Sequence, residues 1–138
     1  MAHQWYTAKR VPTLIGIDYG TKRVGVAVSD TRGTVAFPRM TLPNDRMLMS
    51  SLKEFIAKEG ADEVVIGEST GPTGDNPVMK HMRAFAQELE RETGVTIRWE
   101  PEYLSSAEAR RTSTANLVDA EAAAIILNSY LNHTHGSR

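Results

Sequence analysis

The sequence predicts one α/β domain: a mixed five-stranded sheet, three strands in an antiparallel meander and two added in parallel, flanked by helices. Two patterns carry this expectation. Segments 13–19, 23–29 and 34–42 follow one another with only turn residues between them, and the second alternates Val24, Val26 and Val28 with smaller residues at a strand period. Beyond residue 43, amphipathic stretches of helical period alternate with short apolar runs, the order that builds parallel strands with helical crossovers. At 138 residues the chain is long enough for one core and too short for two lobes enclosing a cleft. The expected domain spans 13–132, between tails at 1–12 and 133–138.

Each element has a local reason. The run 13–19 is apolar and closes at Gly20, and 23–29 returns from it as the second arm of a hairpin. Pro38 lies inside the third stretch, 34–42, and suits only an edge strand or a bulge. Asn44 is the expected cap of a helix whose Leu48, Leu52, Phe55 and Ile56 share a face, and Gly60 stands where a left-handed C-cap belongs. Residues 63–67 read as a buried strand before a Gly/Pro-rich loop. Asn76 and Pro77 then supply a cap and a first-turn proline for a helix striped by Val78, Met82, Phe85, Ala86 and Leu89. Gly94 ends that helix, 95–99 returns as a strand, and Ser105 with Glu108 forms a capping box for a short helix. A last helix covers 118–131.

Composition narrows the function classes. Hydrophobic residues at 41% and charged residues at 24% match a soluble globular protein. With no cysteine, a disulfide framework and a thiolate metal site are both excluded, so any metal needs oxygen or imidazole ligands. No apolar run nears the roughly 18 residues that span a bilayer, and the N-terminal stretch lacks a signal-peptide core, so the expected location is cytoplasmic. A formal charge of -1 gives no global attraction to nucleic acid, and phosphate binding would have to come from a local patch.

Ligand sites of mixed sheets gather at the C-terminal ends of parallel strands, and acids are found there. Asp18 ends the first strand and precedes a donor-rich turn, Gly20-Thr21-Lys22-Arg23. It reads equally as a metal ligand or as an acceptor for the turn amides. Lys22 and Arg23 could meet phosphate, although exposed turn charges are more often only solvated. Asp119 opens the last helix on the same stripe as Ala122, Ala123, Ile126, Leu127 and Tyr130. It therefore faces inward, which a dipole-stabilised first-turn acid need not do. Glu121 lies on another face with Asn128 and reads as a solvated charge. Glu68, Glu100 and Glu102 follow the two later strands, and any of them could complete a carboxylate cluster for Mg²⁺ or Mn²⁺. The histidines at 3, 81, 133 and 135 fall in the tails or on a polar helix face without ligand spacing.

Four blocks resemble the YqgF-type family of Holliday-junction resolvases and pre-ribosomal-RNA nucleases, a branch of the RNase H-like superfamily. They are 14–30 (LIGIDYGTKRVGVAVSD), 64–67 (VVIG), 102–109 (EYLSSAEA) and 118–127 (VDAEAAAIIL), in the family's order. The resemblance implies an RNase H-like fold and a nuclease whose Asp18, Glu102 and Asp119 hold Mg²⁺ or Mn²⁺. It places Thr21, Lys22 and Arg23 near the nucleic-acid backbone. The implied substrate is structured nucleic acid, either a 16S ribosomal RNA precursor or branched DNA, and symmetric cutting of a junction implies a homodimer. There are departures. Pro101 stands where the family has an acid, Tyr103 where it has an arginine, and Glu68 opens a loop that begins Leu-Pro in the family, which makes Glu68 a fourth candidate ligand. These changes leave open a non-catalytic nucleic-acid-binding or assembly module on the same fold. An ATPase or sugar-kinase domain, which also opens with an Asp-x-Gly-Thr turn, requires a second domain that this length does not supply.

Overall fold

The computed structural model describes residues 13–71, 74–75, 77–101 and 118–136. Strands β1 (Thr13–Tyr19), β2 (Arg23–Ser29) and β3 (Ala36–Pro43) precede helix α1 (Leu48–Glu59) and strand β4 (Ala61–Gly67). The two-residue strands β5 (Thr70–Gly71) and β6 (Gly74–Asp75) pair within what the composition marks only as a Gly/Pro-rich loop. Helix α2 (Val78–Thr93), strand β7 (Thr96–Glu100) and helix α3 (Val118–Gly136) complete the chain. The main sheet runs β3-β2-β1-β4-β7, with β1–β2 and β2–β3 antiparallel and β1–β4 and β4–β7 parallel, as the element order predicts.

Local expectations and structure agree where the cause is local. β3 is an edge strand with a register shift as Pro38 pairs with Ala27, so the proline removes no needed donor. Gly60 and Gly94 end their helices at φ 66° and 79°, a region that glycine enters without strain. The cap of α1 differs from expectation. The residue before the helix is Met47, and the Asn44 side chain is used elsewhere. The cap expected at Asn76 and the helix expected from Ser105 lie outside the described residues. Helix α3 continues to Gly136, past the expected tail boundary at 132, so His133 is helical. On the helix face shared with Glu121, Asn128 Oδ1 accepts the Ala36 amide at 2.8 Å.

Strand alternation splits the core into two layers. Ile15, Ile17, Val24, Val26, Val64 and Ile66 face α1 and α2, packing on Leu52, Phe55, Met82 and Leu89. On the other face Leu14, Ala27 and Val65 pack on Ala123, Ile126 and Leu127 of α3. This second face is lined with small residues, and the glycines show how closely α3 sits. A methyl at Gly16 would stand 2.8 Å from the Ala123 carbonyl oxygen, and one at Gly67 would stand 2.6 Å from Ile126 Cδ1. The helix is therefore laid directly on strand backbone, at a distance a Cβ would not permit. Each fully buried Ile or Leu in this contact contributes about 1.5–3 kcal/mol of apolar transfer free energy.

Candidate active site

The close bed for α3 also sets the position of the acids. Asp18 pairs with Gly25 across the β1–β2 hairpin. The side chain of Asp18 emerges on the α3 face, two residues after Gly16 and four after Leu14. At Gly25 the contact is closest of all: an added Cβ would strike the carbonyl group of Asp119 and stand 2.8 Å from the Ala120 nitrogen. The first turn of α3 thus crosses the strand pair at the rung that carries Asp18. The backbone of Asp119, 101 positions later in sequence, is brought to the rung of Asp18 because the residue facing it there is glycine. Asp18 is half-buried, and Asp119 is 9% exposed.

Asp119 is charge-compensated. Arg23 Nε donates to Asp119 Oδ2 at 2.8 Å, while 62% of the arginine side chain remains exposed. Burial of a lone carboxylate is costly, and this charge-assisted bond offsets the cost. Spacing alone does not reveal the pairing. The signal available is strand alternation, which sets Arg23 on the face of Gly25 and Ala27, where α3 docks.

The turn between Asp18 and Arg23 is fixed from outside. Asn44 Nδ2 donates to the Gly20 carbonyl at 2.7 Å, and the Asn44 amide donates to the Lys22 carbonyl at 2.9 Å. This role replaces the expected helix cap. Thr21 and Lys22 are left exposed at the tip, free to contact a polyanion.

The remaining acids separate into three situations. β1 and β4 are parallel with Ile17 opposite Ile66, so the ends carrying Asp18 and Glu68 finish side by side, and Glu68 is half-buried there. Its amide donates to the Glu100 carbonyl at 2.8 Å, which ties the ends of β4 and β7 together. Glu100 itself is turned away from this group. It is 2% exposed, and its Oε2 accepts Ser129 Oγ at 2.6 Å and lies 2.9 Å from His133 Nε2, both on the C-terminal half of α3. Glu100 is therefore an anchor for the helix, its carboxylate engaged away from the expected cluster. Glu102 lies outside the described residues. Among the described residues no three acids or histidines gather closely enough to form a complete cation site.

A mixed sheet ordered 3-2-1-4-7, with an acid at the end of its central strand and a second acid on the helix laid across it, has the architecture of the RNase H-like fold. Solved structures agree on the fold. RuvC of T. thermophilus in complex with a Holliday junction substrate superimposes with a TM-score of 0.61 at 14% identity, covering 92% of this chain and 98% of that one. The fowlpox virus Holliday junction resolvase gives a TM-score of 0.56 at 12% identity, covering 88% and 99%. The chain belongs to the RuvX family, described as Holliday junction resolvases, whose model matches residues 12–133. It is 37% identical over 131 residues to a protein of Nitratidesulfovibrio vulgaris (strain Miyazaki F) named as a candidate pre-16S rRNA nuclease, covering 86% of this chain and 92% of that protein. A protein of the same name from Moorella thermoacetica is 30% identical over 131 residues, covering 86% and 94%.

Proposed function

We propose that this protein is a divalent-metal-dependent nuclease that hydrolyses phosphodiester bonds in structured nucleic acid. The observation that carries the reading is the meeting of Asp18 and the first turn of α3 across Gly25. Membership of the RuvX family supports it. The donors fit a hard cation, because Asp18 and Asp119 offer carboxylate oxygens at a partly open sheet end and the chain has no thiolate. Asp18, Glu102 and Asp119 are the proposed ligands, with Glu68, on the strand end next to that of Asp18, as a fourth. Mg²⁺ or Mn²⁺ held there would orient an attacking water and neutralise charge at the leaving oxygen.

The chain's own residues have separable tasks in this reading. Arg23 holds Asp119 in position through Nε while its exposed guanidinium nitrogens remain available to a phosphate. Thr21 and Lys22, on a turn braced by Asn44, position the backbone of the nucleic acid without reading its sequence. The names of the relatives favour a 16S ribosomal RNA precursor as the substrate. The family description favours a Holliday junction, for which two active sites related by symmetry, hence a homodimer, would be needed. The proposed location is the cytoplasm, where such a substrate would be met; separately, no helix among the described residues is long and apolar enough to cross a membrane.

The test is direct competition. Labelled precursor ribosomal RNA and a labelled four-way DNA junction are offered to the purified protein with Mg²⁺, Mn²⁺ or a chelator. Metal-dependent cutting of the RNA at the lower protein concentration is expected. Binding of both without cutting of either, in any metal, overturns the nuclease reading in favour of a non-catalytic module.

A further inference from the structure

Asp18 and the next residue face opposite sides of the sheet, and the side opposite the acids carries a cleft. The cleft holds about 400 Å³, within the roughly 300–1,000 Å³ of small-ligand sites. Its floor is aromatic: Tyr19 and Phe85 lie with ring centroids 4.9 Å apart at 42°, Phe85 buried beneath and Tyr19 half-exposed above. Around this floor stand Arg46 from the β3–α1 connection and His81 and Glu88 from α2. These three side chains are exposed, and among the described residues they make no hydrogen bond or ion pair with the rest of the protein. The floor also adjoins the braced turn, because Asn44 both lines the cleft and donates to the Gly20 carbonyl.

We infer that this cleft is a subsite for one unpaired nucleobase adjacent to the phosphate cut at Asp18, an inference that rests on the nuclease reading above. An aromatic platform with a cation beside it is the chemistry that stacks a base without regard to backbone type. Asp18 and Tyr19 are consecutive residues at the end of β1, so a nucleic-acid backbone that rounds the strand end passes from the face of the acid to the face of the ring. The base must be unpaired because the phosphate and the platform lie on opposite faces of the sheet, and a duplex cannot divide itself around the end of a strand. Glu88 accepts hydrogen bonds and donates none; uracil and thymine offer it only N3–H, flanked by two carbonyl oxygens that repel a carboxylate, so it favours bases that present an amino group, adenine or cytosine or guanine. The preferred substrate is therefore cut beside an extruded or single-stranded nucleotide bearing an amino group.

The experiment measures binding in chelator, so it does not depend on cleavage. Labelled single-stranded 12-mers of oligo(A) and oligo(U), and their DNA equivalents, are titrated with the wild-type protein, Glu88→Gln and His81→Ala. Both substitutions are exposed on α2 and leave the acids untouched. Wild type is expected to favour oligo(A) by about fivefold or more, and Glu88→Gln to reduce that ratio to near one. The ratio cancels the general gain in affinity from removing a negative charge. His81→Ala is expected to weaken both oligomers. Equal affinity of wild type for the two oligomers, or a ratio unchanged in Glu88→Gln, overturns the subsite. A protein that shows the preference yet cuts nothing keeps the subsite and loses the nuclease; one that cuts but shows no preference does the reverse.

Discussion

Replacing Gly25 with alanine perturbs the candidate site without touching any acid. The added methyl points at α3, strikes the Asp119 carbonyl group and stands 2.8 Å from the Ala120 nitrogen, where ordinary contact begins at 3.4 Å. These are backbone atoms, so no rotamer change relieves the overlap, and the first turn of α3 must lift by roughly 1 Å or more. The rest of the helix resists a bodily shift. It is pinned at Gly16 through Ala123 and Leu127, and at Glu100 through Ser129 and His133. The helix therefore tilts at its N-terminus, which moves the Asp119 carboxylate away from Asp18 and stretches the 2.8 Å bond to Arg23. Overpacking of this kind costs about 1–3 kcal/mol of stability. Misplacement of a catalytic group by about 1 Å costs ~100-fold in rate. Gly67→Ala is the control, because its nearest obstacle is Ile126 Cδ1, the mobile end of a side chain. Single-turnover cleavage of precursor ribosomal RNA and urea denaturation of both variants make the comparison. A Gly25→Ala protein that cuts at the wild-type rate, or loses no more rate than Gly67→Ala, refutes the idea that this contact positions the acids.

Three further outcomes follow from the same geometry. Arg23→Gln is expected to tighten Mg²⁺ binding, because the competing cation at Asp119 is gone, while the log–log salt slope of nucleic-acid binding falls by about 1; calorimetry and anisotropy at several salt concentrations read the two effects. Glu100→Ala leaves Ser129 and His133 facing a buried gap and should cost about 1–3 kcal/mol by urea denaturation, and an unchanged midpoint would show that Glu100 anchors nothing. Burial, followed by the negative charge of Glu63, raises the Tyr130 hydroxyl above its ordinary value of 10.0. Its contribution to stability is thus complete below pH 10.0 and is lost as pH rises through the higher folded-state value. Denaturation midpoints in alkaline buffers should fall more steeply for wild type than for Tyr130→Phe.

What could be read from the sequence was whatever rests on neighbouring residues. The hairpin, the α1 stripe, the C-caps at Gly60 and Gly94 and the edge position of Pro38 all express local periodicity or backbone preference. Asp18 and Asp119 stood out because each is an acid on an apolar face, yet no spacing rule says that the first turn of α3 crosses the rung of Asp18. That depends on Gly25 admitting helix backbone, a tertiary fact. The same holds for Asn44, whose cap-like position misleads because its partner Gly20 lies 24 residues earlier. Glu100 looked like one more strand-end acid, and only its register on β7 shows it aimed at the far half of α3. Helix α3 offered a stripe, but Ala120 and Ala124 are buried as well, since the helix lies in a groove of small residues.

The most direct test of the central claim is single-turnover cleavage by Asp18→Asn beside wild type, in Mg²⁺ and Mn²⁺, with circular dichroism confirming that both are folded. Asn keeps the shape of the side chain and removes the charge that would hold the cation. The expected variant is folded, still binds nucleic acid and no longer cuts it in either metal. Wild-type cleavage by Asp18→Asn would contradict it.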